Sequence, residues 1–240
     1  MKILILGASS QVGIALARAF APGHELLLVG RQASRLNEAV EACRTAGAAS
    51  ATPVALDLTS DLLALHPHLQ GGAVDLIVDA ASASSALRDS EISADAFSGL
   101  VVADVLSRPR LMDLILSMQQ SAPAVILISS VLARIRSQDR AVYSSLKQLQ
   151  EAHLNSLRRA IPSLRLMVVY VGMVIDTQRP TDKPVQLAAA VLRGFQEGRS
   201  VVAHGTMGHL YYLLYHLQPV VFGWVTRLQR ALRGRRPKQG

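Results

Sequence analysis

The sequence predicts one α/β domain, a doubly wound parallel sheet of about seven strands with helices on both faces. Three observations carry that prediction. Short runs rich in leucine and β-branched residues alternate with longer stretches whose apolar residues recur at helical spacing. A glycine-bearing turn, Gly7 to Gly13, follows the first run and opens the first helical stretch. The 240 residues, 50% of them apolar, suffice to bury one sizeable core.

The strand-like runs are 3–6, 25–29, 52–56, 74–78, 125–129, 164–170 and 200–203. They are apolar along their length rather than alternating, as expected of parallel strands covered on both faces. Helices are predicted over 11–20, 34–46, 94–120 with an interruption near Pro109, 141–160 and 184–197. Residues 1–203 are expected to form the domain, with a substrate loop at about 173–198, and 204–240 an extension of different composition. In a doubly wound sheet a ligand lies beyond the carboxyl ends of the strands, where strand order reverses. Chemistry is therefore sought in the residues just after each strand.

The formal net charge of +8 is unevenly spread. Glu197 is the last acidic residue, and seven of the 25 cations follow it, from Arg199 to Lys238. The remaining 18 cations face 17 acids, which leaves residues 1–198 near +1 and offers no nucleic-acid groove. Cys43 is the single cysteine, so no internal disulfide is expected, and Ile3 to Leu6 is too short an apolar run for a signal peptide. A cytoplasmic location is the expectation. His66-Pro67-His68 reads as surface histidines in a loop, and no metal site is expected.

After the first strand, Gly7-Ala8-Ser9-Ser10-Gln11-Val12-Gly13 precedes a helix whose N-terminal amides and dipole would face a pyrophosphate. The second strand ends in Arg31, where an acidic residue would bind the ribose hydroxyl of NAD and an arginine would pair with the 2′-phosphate of NADP. Ser9 and Ser10 either add hydroxyl donors to that phosphate or serve turn geometry. Asp57 and Leu58, after the third strand, either hold an adenine ring or cap a helical segment starting at Ser60. At the end of the fifth strand stands Ser130; Tyr143 follows thirteen residues later and Lys147 one helical turn beyond it. A phenol with a reference pKa of about 10 is a poor base at neutral pH unless a cation favours its phenolate, which Lys147 is in reach to do. In reduction Tyr143 would protonate the nascent alkoxide while Ser130 hydrogen-bonds the carbonyl oxygen.

Together these positions resemble the short-chain dehydrogenase/reductase family in its compact form, from about Lys2 to Val202, with the Rossmann-type fold this implies. The resemblance assigns Gly7, Ser9 and Val12 to the pyrophosphate, Arg31 to the 2′-phosphate, and Asp57 and Leu58 to adenine. Ser130, Tyr143 and Lys147 become a catalytic triad, with Tyr143 and Lys147 also meeting the NADP(H) cofactor. Gly172 through Thr177, including Val174, resembles the segment that contacts the nicotinamide carboxamide. Asp79-Ala80-Ala81-Ser82 stands where Asn-Asn-Ala-Gly is usual, placing Ala80 and Ala81 beside the cofactor. Gln11 replaces the middle glycine, Val171 a proline, and Asp104 falls where an asparagine supporting a relay water is expected. A dimer or tetramer is implied.

The segment from Lys183 to Val202 and the apolar, basic tail resemble reductases of polyprenyl-phosphate-linked keto-pentoses. From Ser200 to Thr226 there is no charge, and Tyr211, Tyr212, Tyr215, Phe222 and Trp224 are five of the chain's ten aromatics. His209, His216, Gln218 and Pro219 interrupt this run, so it reads as lying in an interface rather than spanning a bilayer. Val221, Val225, Leu228 and Leu232 share one helical side while Arg227, Arg230 and Arg233 emerge elsewhere, which fits an anionic membrane surface; the other reading is a cover for the cleft or an interface between copies. The expected activity is NADPH-dependent reduction of a lipid-linked or amphiphilic ketone at the cytoplasmic face of a membrane. Rival readings are a reductase of long-chain 3-oxo lipids and a non-catalytic NADP(H)-sensing interaction protein. A serine hydrolase is disfavoured because there is no Gly-x-Ser-x-Gly elbow.

Overall fold

The computed structural model of the chain describes residues 1–83, 88–134, 139–172, 183–205, 208–210, 213 and 217. Its strands are β1 (Lys2–Leu6), β2 (Glu25–Gly30), β3 (Ser50–Ala55), β4 (Leu76–Asp79), β5 (Ala124–Ser130), β6 (Leu166–Val171) and β7 (Val201–His204). They form one seven-stranded sheet in the order β3-β2-β1-β4-β5-β6-β7, every pair parallel. The order reverses between β1 and β4, which places the crevice at their carboxyl ends.

Each strand feeds side chains alternately into two cores. On one face, Ile3 and Ile5 of β1 pack with Leu26 and Leu28 of β2 against α1 (Gln11–Phe20), α2 (Ala33–Thr45) and α7 (Lys183–Gln196). There Phe20 of α1 meets Phe195 of α7 edge to face, ring centroids 5.9 Å apart. On the other face, Leu4, Leu6, Leu27 and Val29 pack with Leu111 and Ile115 of α5 (Ser107–Met118) and Leu154 of α6 (Ala141–Ala160). The short α3 (His66–Leu69) and α4 (Ala94–Val101) complete the described helices of that side.

Two sequence expectations are corrected. His66 and His68 are exposed, but in α3 rather than in a loop, because Pro67 falls in a first turn, where its missing N–H costs nothing. The break expected near Pro109 lies one turn earlier. α4 runs through a π-helical turn, Val102–Leu106, into α5, and Pro109 sits inside α5. Proline cannot donate to the carbonyl four residues back and its ring crowds that group, so the distortion falls on the preceding turn. That turn carries Asp104, which is 1% exposed.

Candidate active site

A cavity of about 480 Å³ opens over the carboxyl ends of the central strands, lined at one end by Gly7, Ser9, Val12, Arg31, Asp57 and Leu58. The other end of the same cavity is lined by Ser130, Arg140, Tyr143, Lys147 and Gly172, with Ser10, Ala80, Ala81 and Asp104 also in its wall. Of the residues predicted from sequence, Val174 and Thr177 lie outside the described residues, as do Tyr211, Tyr212, Tyr215, Phe222, Trp224 and the arginines of the tail.

The nucleotide end is shaped by backbone. Gly7 has φ +76°, and a Cβ on it would stand 2.8 Å from the backbone of Ala80 and Ala81, so the β1 turn and the β4 end approach as closely as glycine permits. Gly13 is as constrained: its Cβ would lie 2.1 Å from the Gly7 carbonyl. Ser10 is the N-cap of α1; its hydroxyl accepts from the Gly13 amide and donates to the Gly7 carbonyl, each at 2.9 Å. Of the two roles open to Ser10, the turn role is the one formed here. The Gln11 and Val12 amides precede the first intrahelical bond, from Ile14 to Ser10, and Val12 lines the cavity; a helix start of this kind suits an anion.

Arg31 is largely exposed, and its guanidinium stands 4.0 Å from the Asp57 carboxylate. Asp57 accepts from the amide and hydroxyl of Thr59, both at 2.8 Å. The Thr59 amide, more than Arg31, lowers its pKa against a partial desolvation. The cap of the following 3₁₀ turn is Asp61, not Asp57. Asp57 therefore braces its own loop and leaves a carboxylate oxygen toward Arg31.

The catalytic end is built from side chains. β5 delivers Ser130 and α6 delivers Tyr143 and Lys147 from one face, Ser130 and Tyr143 lining the same wall of the cavity, with Ser130 Oγ accepting from the Leu132 amide at 3.2 Å. Burial raises the Tyr143 pKa, the Ser130 hydroxyl and the Arg140 charge oppose that, and Asp104 adds to it. Lys147 is 3% exposed; burial pushes its pKa down, and nearby Asp79, Asp104 and Glu151 favour its charge. Its ammonium donates to the Ile128 carbonyl at 3.2 Å, tying α6 to β5.

Sequence reasoning missed the ion pairs behind this wall. Asp79, 2% exposed at the end of β4, receives Arg108 Nε at 2.8 Å and Nη2 at 3.0 Å. Arg108 also donates to the Ala81 carbonyl at 2.8 Å, to Ser107 Oγ at 2.9 Å and to the Ala103 carbonyl. It thus fastens the Ala80–Ala81 wall to the π turn. Asp104 in that turn accepts from the Ala83 amide at 2.8 Å, and its backbone carbonyl accepts from Gln150. A second network joins Glu151 to Ser129, Arg134 and Tyr170, with Tyr170 donating to the Glu151 carboxylate at 3.0 Å and Arg134 Nε to Tyr170 at 2.9 Å. The available signal for the first pair was a carboxylate ending an apolar strand, since a buried charge demands a counter-charge.

Comparison with known proteins decides the family. The short chain dehydrogenase profile matches residues 1–184. The chain belongs to the short-chain dehydrogenases.

Such dehydrogenases are oxidoreductases that use a nicotinamide dinucleotide. Hydroxysteroid 11-beta-dehydrogenase 1-like protein B of Xenopus laevis is 29% identical over 192 residues, 76% of this chain. The chain spans 66% of that relative's length. Among solved structures, a short-chain dehydrogenase from Sphingobium yanoikuyae in complex with NADPH superposes with a TM-score of 0.74 at 21% identity, covering 100% of this chain and 97% of that one. An alcohol dehydrogenase from the archaeon Thermococcus sibiricus, complexed with 5-hydroxy-NADP, gives 0.70 at 24% identity over 82% of this chain and 91% of that one. At these identities the likeness bears on the fold. Within it, Asp79 replaces the usual amide without leaving an unbalanced charge, because Arg108 supplies the cation.

Proposed function

We propose that this short-chain dehydrogenase is an NADPH-dependent reductase of a carbonyl on an amphiphilic or lipid-linked substrate, with Ser130, Tyr143 and Lys147 as its catalytic residues. The observation that carries the reading is one cavity with Arg31 at one end and Ser130, Tyr143 and Lys147 together at the other. The nucleotide end fits the cofactor chemically. Two amides at a capped helix N-terminus suit a pyrophosphate, and an exposed guanidinium in the place of a carboxylate suits a 2′-phosphate. The named NADPH and 5-hydroxy-NADP complexes of the structural neighbours point the same way.

NADPH, when bound, supplies the hydride. The protein's part is to hold the carbonyl oxygen and to deliver a proton. Ser130 Oγ would donate a hydrogen bond to that oxygen, and Tyr143 would give its phenolic proton to it as negative charge develops. Lys147, buried and donating to the Ile128 carbonyl, keeps α6 seated on β5 and so holds Tyr143 beside Ser130 in the cavity wall.

The substrate class draws on the chain beyond the sheet. Leu210, Leu213 and Leu217 are exposed and spaced to share a helix face, and an apolar, aromatic and finally basic sequence follows them. Among the described residues no helix is long and apolar enough to cross a membrane. We read the extension as lying on an anionic membrane surface and the substrate as reached from there, a polyprenyl-linked keto-sugar being the first candidate. The names of the Xenopus relatives favour a second candidate class, hydroxysteroid-sized alcohols and ketones. The test is NADPH oxidation against a panel of polyprenyl-linked keto-sugars, 3-oxo lipids and ketosteroids, with Tyr143→Phe as control. Turnover of one class, lost in Tyr143→Phe, supports the reading; turnover that survives in Tyr143→Phe excludes the assigned proton donor.

A further inference from the structure

We propose that Arg140 is a second cation acting on Tyr143, its guanidinium lying against the ring so that it favours the phenolate form the reaction passes through. Nothing in the family resemblance assigns this residue. Arg140 occupies the N-cap position of α6, and its Cζ stands 5.1 Å from the centroid of the Tyr143 ring. A cation within about 6 Å of an aromatic face is attracted to its electron density, and more strongly once the ring bears negative charge. Both residues line the cavity.

The placement of Arg140 is fixed from the other side. Asp89 accepts from the Ala141 amide at 2.7 Å and from the Val142 amide at 3.1 Å, anchoring the first turn of α6. Lys147, the cation expected from sequence to act on the phenol, donates instead to the Ile128 carbonyl. Its ammonium is also the more easily discharged of the two: burial lowers its pKa, whereas an arginine stays protonated at any working pH. Around the phenol, α6 contributes Arg140 and Lys147, β5 contributes the Ser130 hydroxyl, and the π turn contributes the opposing carboxylate of Asp104. Asp79, Arg108 and Glu151 bear on Lys147 behind it, and Asp89 on the helix start. Among these, Arg140 and the Ser130 hydroxyl work against the burial that raises the phenol's pKa. Arg140 is therefore a positioning residue that sets the phenol's acidity without touching the reacting carbonyl.

The inference concerns the phenol used by the proposed reaction and so rests on that reading, but its test needs no substrate. Tyrosinate absorbance is titrated with pH for the protein minus its Tyr143→Phe variant, which isolates one phenol, and the same subtraction is made in Arg140→Gln and Arg140→Lys backgrounds. Arg140→Gln should raise the apparent Tyr143 pKa by about half a unit or more, while Arg140→Lys retains most of the original value. Coincident curves for the protein and Arg140→Gln would overturn the inference, as would equal shifts in Gln and Lys, which would mean that shape rather than charge matters. Turnover lost in Tyr143→Phe, with an unmoved phenol in Arg140→Gln, would remove this inference and leave the reductase reading intact.

Discussion

The two ends of the cavity are made in different ways. At the nucleotide end the contacts come from main chain and glycine: the Gly7 turn, the capped start of α1 and the bare Gln11 and Val12 amides, with Arg31 and Asp57 reaching in from the exposed rim. At the catalytic end Asp79, Arg108, Asp104, Lys147 and Glu151 are all buried, and each depends on a partner from a distant segment. A main-chain cradle responds chiefly to an added Cβ, as at Gly13, while a wall of buried charges fails when one partner is removed. On the proposed function the first arrangement would place an anion and the second would tune a proton donor. The difference predicts that substitutions at the two ends are separable, binding from one and turnover or stability from the other.

The largest expected effect is on turnover. Tyr143→Phe should lower kcat/KM for carbonyl reduction by about 10²- to 10⁴-fold, the usual worth of a general acid, with NADPH binding retained; fluorescence titration beside steady-state kinetics checks both halves. Loss of binding in that variant would break the separation of the two ends.

Next is stability. Arg108→Met leaves Asp79 buried without its cation and should cost about 3 to 5 kcal/mol in denaturant unfolding. Adding Asp79→Asn to it should recover part of that loss, and a double variant no better than the single would show that the pair is not what Arg108 stabilises.

The smallest effect belongs to the exposed rim. The folded-state pKa of Asp57 is depressed, first by the Thr59 amide, so its contribution is fully present above the unfolded value of about 3.9 and is lost as pH falls through the lowered folded value. A small stability gap between the protein and Asp57→Asn should therefore close below about pH 4. A gap that widened on acidification would contradict the assigned hydrogen bonds.

The same contrast governs what could be read from sequence. β1 with its turn, and α6 over 141–160, were legible because apolar periodicity, a glycine turn and the Tyr143–Lys147 spacing are local signals. Arg108 was not, since its partner Asp79 lies 29 residues away and an arginine at a helix start looks like a solvated one. The π turn was displaced from its expected place because proline acts on the turn before it. Ser9 and Ser10 could not be separated by pattern, since capping depends on a backbone geometry that only the fold supplies.

The most direct test of the central claim is nicotinamide fluorescence on titrating the protein with NADPH and with NADH, repeated in Arg31→Asp. The account predicts that NADPH binds more tightly than NADH, and that Arg31→Asp weakens NADPH by about 10-fold or more, the worth of one charge-assisted contact, while sparing NADH. Equal binding of the two cofactors, or an NADPH affinity untouched by Arg31→Asp, would contradict it.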